Sequence, residues 1–212
     1  MVSKLNILKS LFLASGIAIS FNGCFFSSPT FTIEEENIGV QECHKFEKNE
    51  QKIECYDDLS SDNSMASLKL GIFYADANDY DKAYDYLNSS KEMGNYYANL
   101  PLAYLYFKGN GVEEDSEKSL ELLKEAAHKD PNAAFQLSKF YFKGIGIKQD
   151  TKKGLEYLIS AANKNMFVAQ KQLAMIYSKG FHTIKKDLVK AKYWQEKANN
   201  NKKDNTFNIY KL

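Results

Sequence analysis

The residues of this chain that could do chemistry are few, and they are widely separated. Its three histidines, His44, His128 and His182, fall in different parts of the sequence. Neither the HExxH pattern of zinc peptidases nor a nucleophile elbow occurs. Only His44 lies near a cysteine pair, and no second pair of ligands accompanies it, as a zinc site would need. The sequence therefore predicts no catalytic residue, no metal site and no cofactor.

Two short motifs match parts of known active sites but lack the surrounding motifs. The triplet SDN at residues 61–63 matches that of serine β-lactamases, but no SxxK precedes it and no KTG follows it. The Gly-x-Gly pairs at residues 109–111 and 144–146 follow predicted helices, and they lack the Lys-Ser/Thr ending of a phosphate-binding loop. We interpret the triplet as a coincidence in a polar loop and the glycine pairs as turns between helices.

Cys24 has the most specific predicted chemistry. Residues 1–23 have the features of a signal peptide, with lysines ahead of an apolar run at residues 10–21. That run is too short to span a bilayer, which takes about 20 residues. Residues 21–24, FNGC, resemble a bacterial lipobox, although Phe and Asn replace the usual leucine and small residue. The resemblance implies that Cys24 becomes a lipid-modified N-terminus.

Such a lipid would hold the exported protein at a bacterial membrane, since each buried CH₂ of an acyl chain contributes about 0.8 kcal/mol. No acidic residue directly follows Cys24. Under the sorting rule of enteric bacteria this favours the outer membrane, at its periplasmic face. The alternatives are an ordinary secreted protein and an uncleaved membrane anchor.

The two remaining cysteines, Cys43 and Cys55, are predicted to form a disulfide, because lipidation of Cys24 removes the odd thiol in an oxidising compartment. On one continuous helix they would lie about 18 Å apart, too far for a bond. A turn near residues 49–51 would instead set two short antiparallel helices side by side. Two buried thiols are the alternative.

Four copies of one helical pattern make up most of the chain. Aligned on a tyrosine, the first helix of each copy repeats about every 35 residues, and the second helix repeats a small–large–small code. The first-helix set is Ala66/Leu70/Gly71/Tyr74, Ala98/Leu102/Ala103/Tyr106, Ala133/Leu137/Ser138/Tyr141 and Ala169/Leu173/Ala174/Tyr177. The second-helix set is Ala83/Tyr86/Ser90, Ser119/Leu122/Ala126, Gly154/Tyr157/Ala161 and Ala191/Trp194/Ala198. Small residues let helix axes approach closely, so the sequence predicts an all-α solenoid of stacked helix pairs.

Residues 98–129, 133–163 and 169–199 resemble Sel1-like repeats, with KGNGV at 108–112 and KGIGI at 143–147 between the helices. Residues 66–95 are more similar to a tetratricopeptide repeat, because their connector is shorter. The resemblance implies a right-handed α-α superhelix that acts as an adaptor. It extends to the Helicobacter-type cysteine-rich proteins, which implies weak β-lactamase or penicillin-binding activity as the alternative function. The chain lacks their cysteine pair in each repeat.

These observations divide the chain into five segments. The signal peptide, residues 1–23, is followed by a tether at 24–39 and by N-terminal capping helices at 40–64. One tetratricopeptide-like repeat and three Sel1-like repeats occupy residues 65–199. A tail at residues 200–212 is polar at first, and its apolar end, residues 207–212, is predicted to fold back over the last helix.

Charge and aromatic patterning point to a protein or peptide partner. The 28 basic and 27 acidic residues nearly cancel, which disfavours a nucleic-acid partner. Phe107, Lys108, Phe142 and Lys143 are candidates for a peptide-binding strip, since each phenylalanine precedes a lysine. The alternative is that both rings pack between repeats. The sequence thus predicts a non-catalytic scaffold for an envelope protein or peptide, with peptidoglycan as a further candidate ligand.

Overall fold

The structure, a computed structural model, describes residues 32–204, 206 and 208–211. These residues form ten α-helices and two short 3₁₀ turns, and the only strand-like pairing among them is a single bridge between Phe181 and Ile184. The helices are α1 Ile33–Cys43, α2 Asn49–Leu59, α3 Ser64–Asp76, α4 Tyr80–Glu92, α5 Asn99–Lys108, α6 Ser116–Ala127, α7 Pro131–Lys143, α8 Thr151–Asn163, α9 Phe167–Lys179 and α10 Leu188–Asn200. The predicted helical solenoid is confirmed.

The first helix begins earlier than the sequence predicts. Residues 24–39 are expected to be a tether, but α1 starts at Ile33. The cause is a reciprocal cap: the Thr32 hydroxyl accepts from the Glu35 amide, and the Glu35 carboxylate accepts from the Thr32 amide at 2.8 Å. This arrangement satisfies two helix-end donors at once. The predicted signal peptide and Cys24 lie outside the described residues.

Helices α1 and α2 form an N-terminal hairpin that a disulfide closes. The Cys43 and Cys55 sulfurs are bonded, and their Cα atoms are 5.6 Å apart. The hairpin packs on α3, where the Asn63 amide donates to the Glu36 carbonyl at 3.1 Å and the Ser64 hydroxyl donates to the Glu36 carboxylate. The hairpin thereby covers the first repeat and buries part of the face of α3.

Each repeat pairs a first helix with a second helix: α3 with α4, α5 with α6, α7 with α8 and α9 with α10. The small residues of the second-helix code are all buried, as the close approach of the axes requires. The aligned tyrosines pack against the large residue of that code in two repeats. Tyr74 stacks on Tyr86 at 5.5 Å between ring centroids, and Tyr141 stacks on Tyr157 at 5.6 Å.

An aspartate joins the two helices of every repeat. Its backbone amide donates to the carbonyl of the aligned tyrosine, and its side chain accepts from the amide three residues later, at the start of the second helix. These aspartates are Asp79, Asp115, Asp150 and Asp187. A lysine occupies the position three residues after each one, and in three of the repeats its ammonium lies over the tyrosine ring. The Asp-x-x-Lys spacing therefore fixes where each second helix begins.

The second glycine of each Gly-x-Gly pair lies against the preceding repeat. A Cβ atom at Gly111 would fall 2.7 Å from the Tyr80 carbonyl oxygen, and one at Gly146 would fall 2.9 Å from the Ser116 carbonyl oxygen. The last connector lacks this glycine and forms the bridge between Phe181 and Ile184 instead.

Candidate functional site

The C-terminal tail does not fold back over the last helix as predicted. It runs back across the repeats along one edge, which we call the tail edge and define by Lys69, Tyr97, Asp130, Asn132 and Phe167. All of these except Lys69 lie at or near the start of a first helix. The prediction was wrong because helix starts offer backbone amides and capping groups that the outer face of α10 does not.

The tail begins by capping α9. Met166 stands at the N-cap of that helix, and its side chain makes no capping hydrogen bond. The Asp204 carboxylate takes this role from the tail, because it accepts from the Phe167 amide at 2.8 Å. A negative group at a helix N-terminus is also favoured by the helix dipole. The last repeat and the tail are thus joined by a capping interaction.

Farther along, the edge holds the tail through its main chain. The Asn132 side-chain amide donates to the Thr206 carbonyl at 2.7 Å. The Lys69 ammonium donates to the Ile209 carbonyl at 2.9 Å and also to the Lys211 carbonyl. Because these contacts use carbonyl oxygens, they depend on the path of the backbone and not on the side chains of the tail.

The Tyr210 side chain of the tail also makes a hydrogen bond to the edge. The Tyr210 hydroxyl donates to the Asp130 carboxylate at 2.6 Å, and the Tyr97 carbonyl oxygen lies 3.3 Å from it. Asp130 is fully buried and also caps α7, accepting from the amides of Asn132 and Ala133. Burial, the Asp130 charge and this hydrogen bond raise the pKa of the Tyr210 phenol well above its usual value. The phenol therefore remains a donor at neutral pH.

Lys69 is an unusual residue for the interior of a helix pair. Its side chain is 1% exposed, and its acceptors among the described residues are carbonyl oxygens and not carboxylates. Burial lowers the pKa of its ammonium from 10.5 to about 8. A charged lysine in this position opposes folding unless its hydrogen bonds compensate.

This shift predicts a pH-dependent stability that Lys69→Met should abolish. The folded protein loses the Lys69 proton near pH 8, whereas the unfolded chain keeps it until about pH 10.5. The stability of the wild type should therefore rise between these values, by up to about 3 kcal/mol relative to Lys69→Met, and the difference should be flat below pH 8. Urea unfolding across pH 7–10.5 measures it. Lys45→Met, at an exposed ion pair, is the control: it retains Lys69, so its stability should rise with pH as that of the wild type does.

A cavity of about 730 Å³ lies beside the tail, between α1, α3 and the tail itself. Four lysines and a histidine contribute to its wall, and no aspartate or glutamate among the described residues does: Lys69, Lys129, Lys164, Lys211 and His44. Burial, together with the positive charges of Lys69 and Lys52, lowers the pKa of the His44 imidazole. Positively charged side chains thus line the cavity, and the nearby Asp130 carboxylate acts electrostatically on one of them, Lys164.

The predicted peptide-binding strip is not gathered on one surface. Phe142 is 5% exposed, and its ring packs edge-on against Phe181 of the next connector at 5.2 Å. Phe107 is half-buried against Phe140, while Lys108 and Lys143 are exposed. Phe142 thus packs between repeats, which is the alternative interpretation given above for these rings. In this structure its ring is not accessible to a peptide.

The tail edge was missed from the sequence, although two of its residues carried signals. Lys69 interrupts the apolar stretch SMASLKLGIF, where a lysine has no core role. Asp130 directly precedes Pro131, a combination typical of a helix start. Neither signal indicates that the chain end lies alongside, because that pairing joins residues between 80 and 142 positions apart.

None of the described helices is both long and apolar enough to cross a membrane. No curated protein matches the sequence. Among solved structures, a Sel1 repeat protein from Oxalobacter formigenes is similar at a TM-score of 0.70 and 24% identity, over 79% of this chain and 70% of that one. A protective antigen of uropathogenic Escherichia coli strains with an SLR fold is similar at 0.62 and 22% identity, over 79% of this chain and 38% of that one.

An immunity protein from Pseudomonas aeruginosa is similar at a TM-score of 0.58 and 15% identity, over 80% of this chain and 68% of that one. At such identities these likenesses show the fold. The Sel1 repeat family itself matches residues 64–95, 97–130, 131–166 and 168–202, and so includes the first unit, which the sequence likens to a tetratricopeptide repeat. With four matched repeats that span most of its length, the chain belongs to the Sel1 repeat family.

Proposed function

We propose that this protein is a non-catalytic scaffold that binds a partner protein in the bacterial cell envelope, held at the membrane by a lipid on Cys24. Sel1 repeat solenoids generally serve as scaffolds for protein–protein interaction. The observation that carries the proposal for this chain is that its repeats already hold a peptide segment. The tail makes hydrogen bonds to residues of all four repeats, in part through its main-chain carbonyls and in part through the side chains of Asp204 and Tyr210. A stack of repeats that binds its own chain this way has the chemistry to bind another.

Crosslinking in intact cells tests the scaffold. A photoreactive amino acid would replace Tyr104 on α5 or Tyr193 on α10, which are about half exposed on a first and a second helix. Illumination followed by mass spectrometry should yield a discrete protein adduct from at least one position. The same substituted chains in cells that are not illuminated are the control. If neither position gives an adduct absent from the control, the scaffold proposal fails.

The anchor is tested by Cys24→Ser. Because the acyl chains would be attached through the Cys24 sulfur and the new N-terminus, this change should move the protein from the membrane fraction to the soluble fraction and abolish labelling by radioactive palmitate. The control is the double variant Cys43→Ser/Cys55→Ser, which removes the disulfide but should stay labelled and membrane-bound. Retention of Cys24→Ser in washed membranes would contradict the anchor.

A further inference from the structure

The tail edge is a binding site whose hydrogen-bonding groups the tail satisfies only in part. The Asn132 side-chain oxygen is buried, with the residue 1% exposed, and it accepts no hydrogen bond in the described structure. The neighbouring nitrogen of the same amide donates to the Thr206 carbonyl. A buried acceptor without a donor is costly, and this one belongs to the amide group that binds the tail.

The contacts that hold the tail would accept another sequence. Lys69 and Asn132 bind carbonyl oxygens, which every peptide has. Two edge residues select a side chain: the Phe167 amide binds the Asp204 carboxylate, and Asp130 binds a hydroxyl donor at the distance of the Tyr210 phenol. A segment with a tyrosine at this position could therefore replace the tail without any change in the edge.

The charge of the adjacent cavity adds a second requirement for the segment that binds at the tail edge. Its wall carries lysines from α3, from the ends of α6 and α8 and from the tail, and no carboxylate of the described residues is among those that line it. Lys211 of the tail brings one more positive charge to this wall and is therefore poorly matched to it. A segment with an acidic side chain at that position would be attracted instead.

We propose that the tail edge is the binding site for a short, acidic, tyrosine-containing segment of a partner protein, and that the tail occupies this site in the free protein. The proposal rests on the scaffold function above and locates its binding surface. The partner's tyrosine binds Asp130, its main-chain carbonyls bind Lys69 and Asn132, and its acidic side chain enters the lysine-lined cavity. Binding of the partner displaces the tail.

Fluorescence anisotropy with labelled peptides tests this on the full chain in detergent micelles. The probes are the peptide of residues 204–211, DNTFNIYK, and the same peptide with Lys211→Glu. Wild type is compared with Tyr210→Ala, which weakens the tail but leaves the edge intact. The variant should bind the first probe about tenfold or more tightly than wild type, since the internal competitor has lost its hydrogen bond to a charged group. Equal affinities would overturn the proposal.

Two further substitutions, each combined with Tyr210→Ala, distinguish a loss of peptide binding from a loss of folding. Asp130→Asn retains an N-cap side chain but loses the charge that the tyrosine binds, so peptide affinity should fall about tenfold or more. The matched control is Asp115→Asn, which alters a cap of α6 away from the edge and should leave affinity unchanged. If both changes have the same effect, the peptide does not bind at this edge.

The glutamate-containing peptide should bind several-fold more tightly than the first probe at low salt, and 1 M salt should remove the difference. Equal binding of the two peptides at low salt would overturn the acidic requirement.

Sedimentation of the wild type should give a monomer. A dimer that dissociates on Tyr210→Ala would instead identify the tail of a second copy as the occupant. Failed peptide binding alongside adducts at Tyr104 or Tyr193 would refute this site but leave the scaffold intact.

Discussion

Replacing Tyr141 by alanine is expected to lower the free energy of unfolding by about 3–5 kcal/mol. Its side chain is 4% exposed, and its ring lies flat on Tyr157 of the paired helix. The change would leave a cavity between α7 and α8 in the third of four repeats. Because each repeat is stabilised mainly by its neighbours, a weak interface in the middle should destabilise both flanking units. Urea unfolding followed by circular dichroism measures the loss.

Tyr193→Ala is the matched control for this prediction. It removes the same side chain from a helix of the same solenoid, but Tyr193 is 50% exposed. Its ring contacts only Trp194 and Lys197 among the ring interactions of the described residues. The expected loss is below about 1 kcal/mol, as for other surface positions. Equal losses for the two variants would mean that the aligned tyrosines do not form the interior of the repeats.

The parts of the fold that could be predicted from the sequence depend on local spacing. The aligned tyrosines and the small residues of the second helices repeat in phase, and a helical period converts that repetition directly into a buried face. Two further local signals are present in the sequence and were missed. The Asp-x-x-Lys spacing recurs in all four repeats, and Thr32 and Glu35 mark the start of α1 by the three-residue spacing of a capping box.

The tail edge depends on contacts of another kind. Lys69 and the carbonyls of Ile209 and Lys211 come together only after four repeats have stacked at the right angles. The periodicity of the sequence predicts that those repeats exist. It does not predict the direction in which an irregular tail leaves the last repeat. The same limit explains Phe142, whose aromatic character suited both a binding strip and a packed interface. Only the neighbouring connector, with Phe181, decides between them.

Replacing Gly111 by alanine is expected to cost about 2–4 kcal/mol. Part of this cost, about 1 kcal/mol, comes from placing a side chain at a φ of +69°, where L-residues are strained. The rest, about 1–3 kcal/mol, comes from contact with the Tyr80 backbone, which a new Cβ would approach to 2.7 Å. A backbone carbonyl at the start of α4 cannot turn away as a flexible side chain would. The connector must therefore move off the preceding repeat.

Gly94→Ala separates these two contributions, because Gly94 also has a positive φ, +90°, but has open space where its Cβ would lie. It should lose only the conformational part, about 1 kcal/mol. Urea unfolding of both variants gives the difference, which is the free energy of stacking lost at this connector. If Gly111→Ala is no more destabilising than Gly94→Ala, then the second glycine of the Gly-x-Gly pair does not hold neighbouring repeats together. The repeats would in that case be joined by their helices alone.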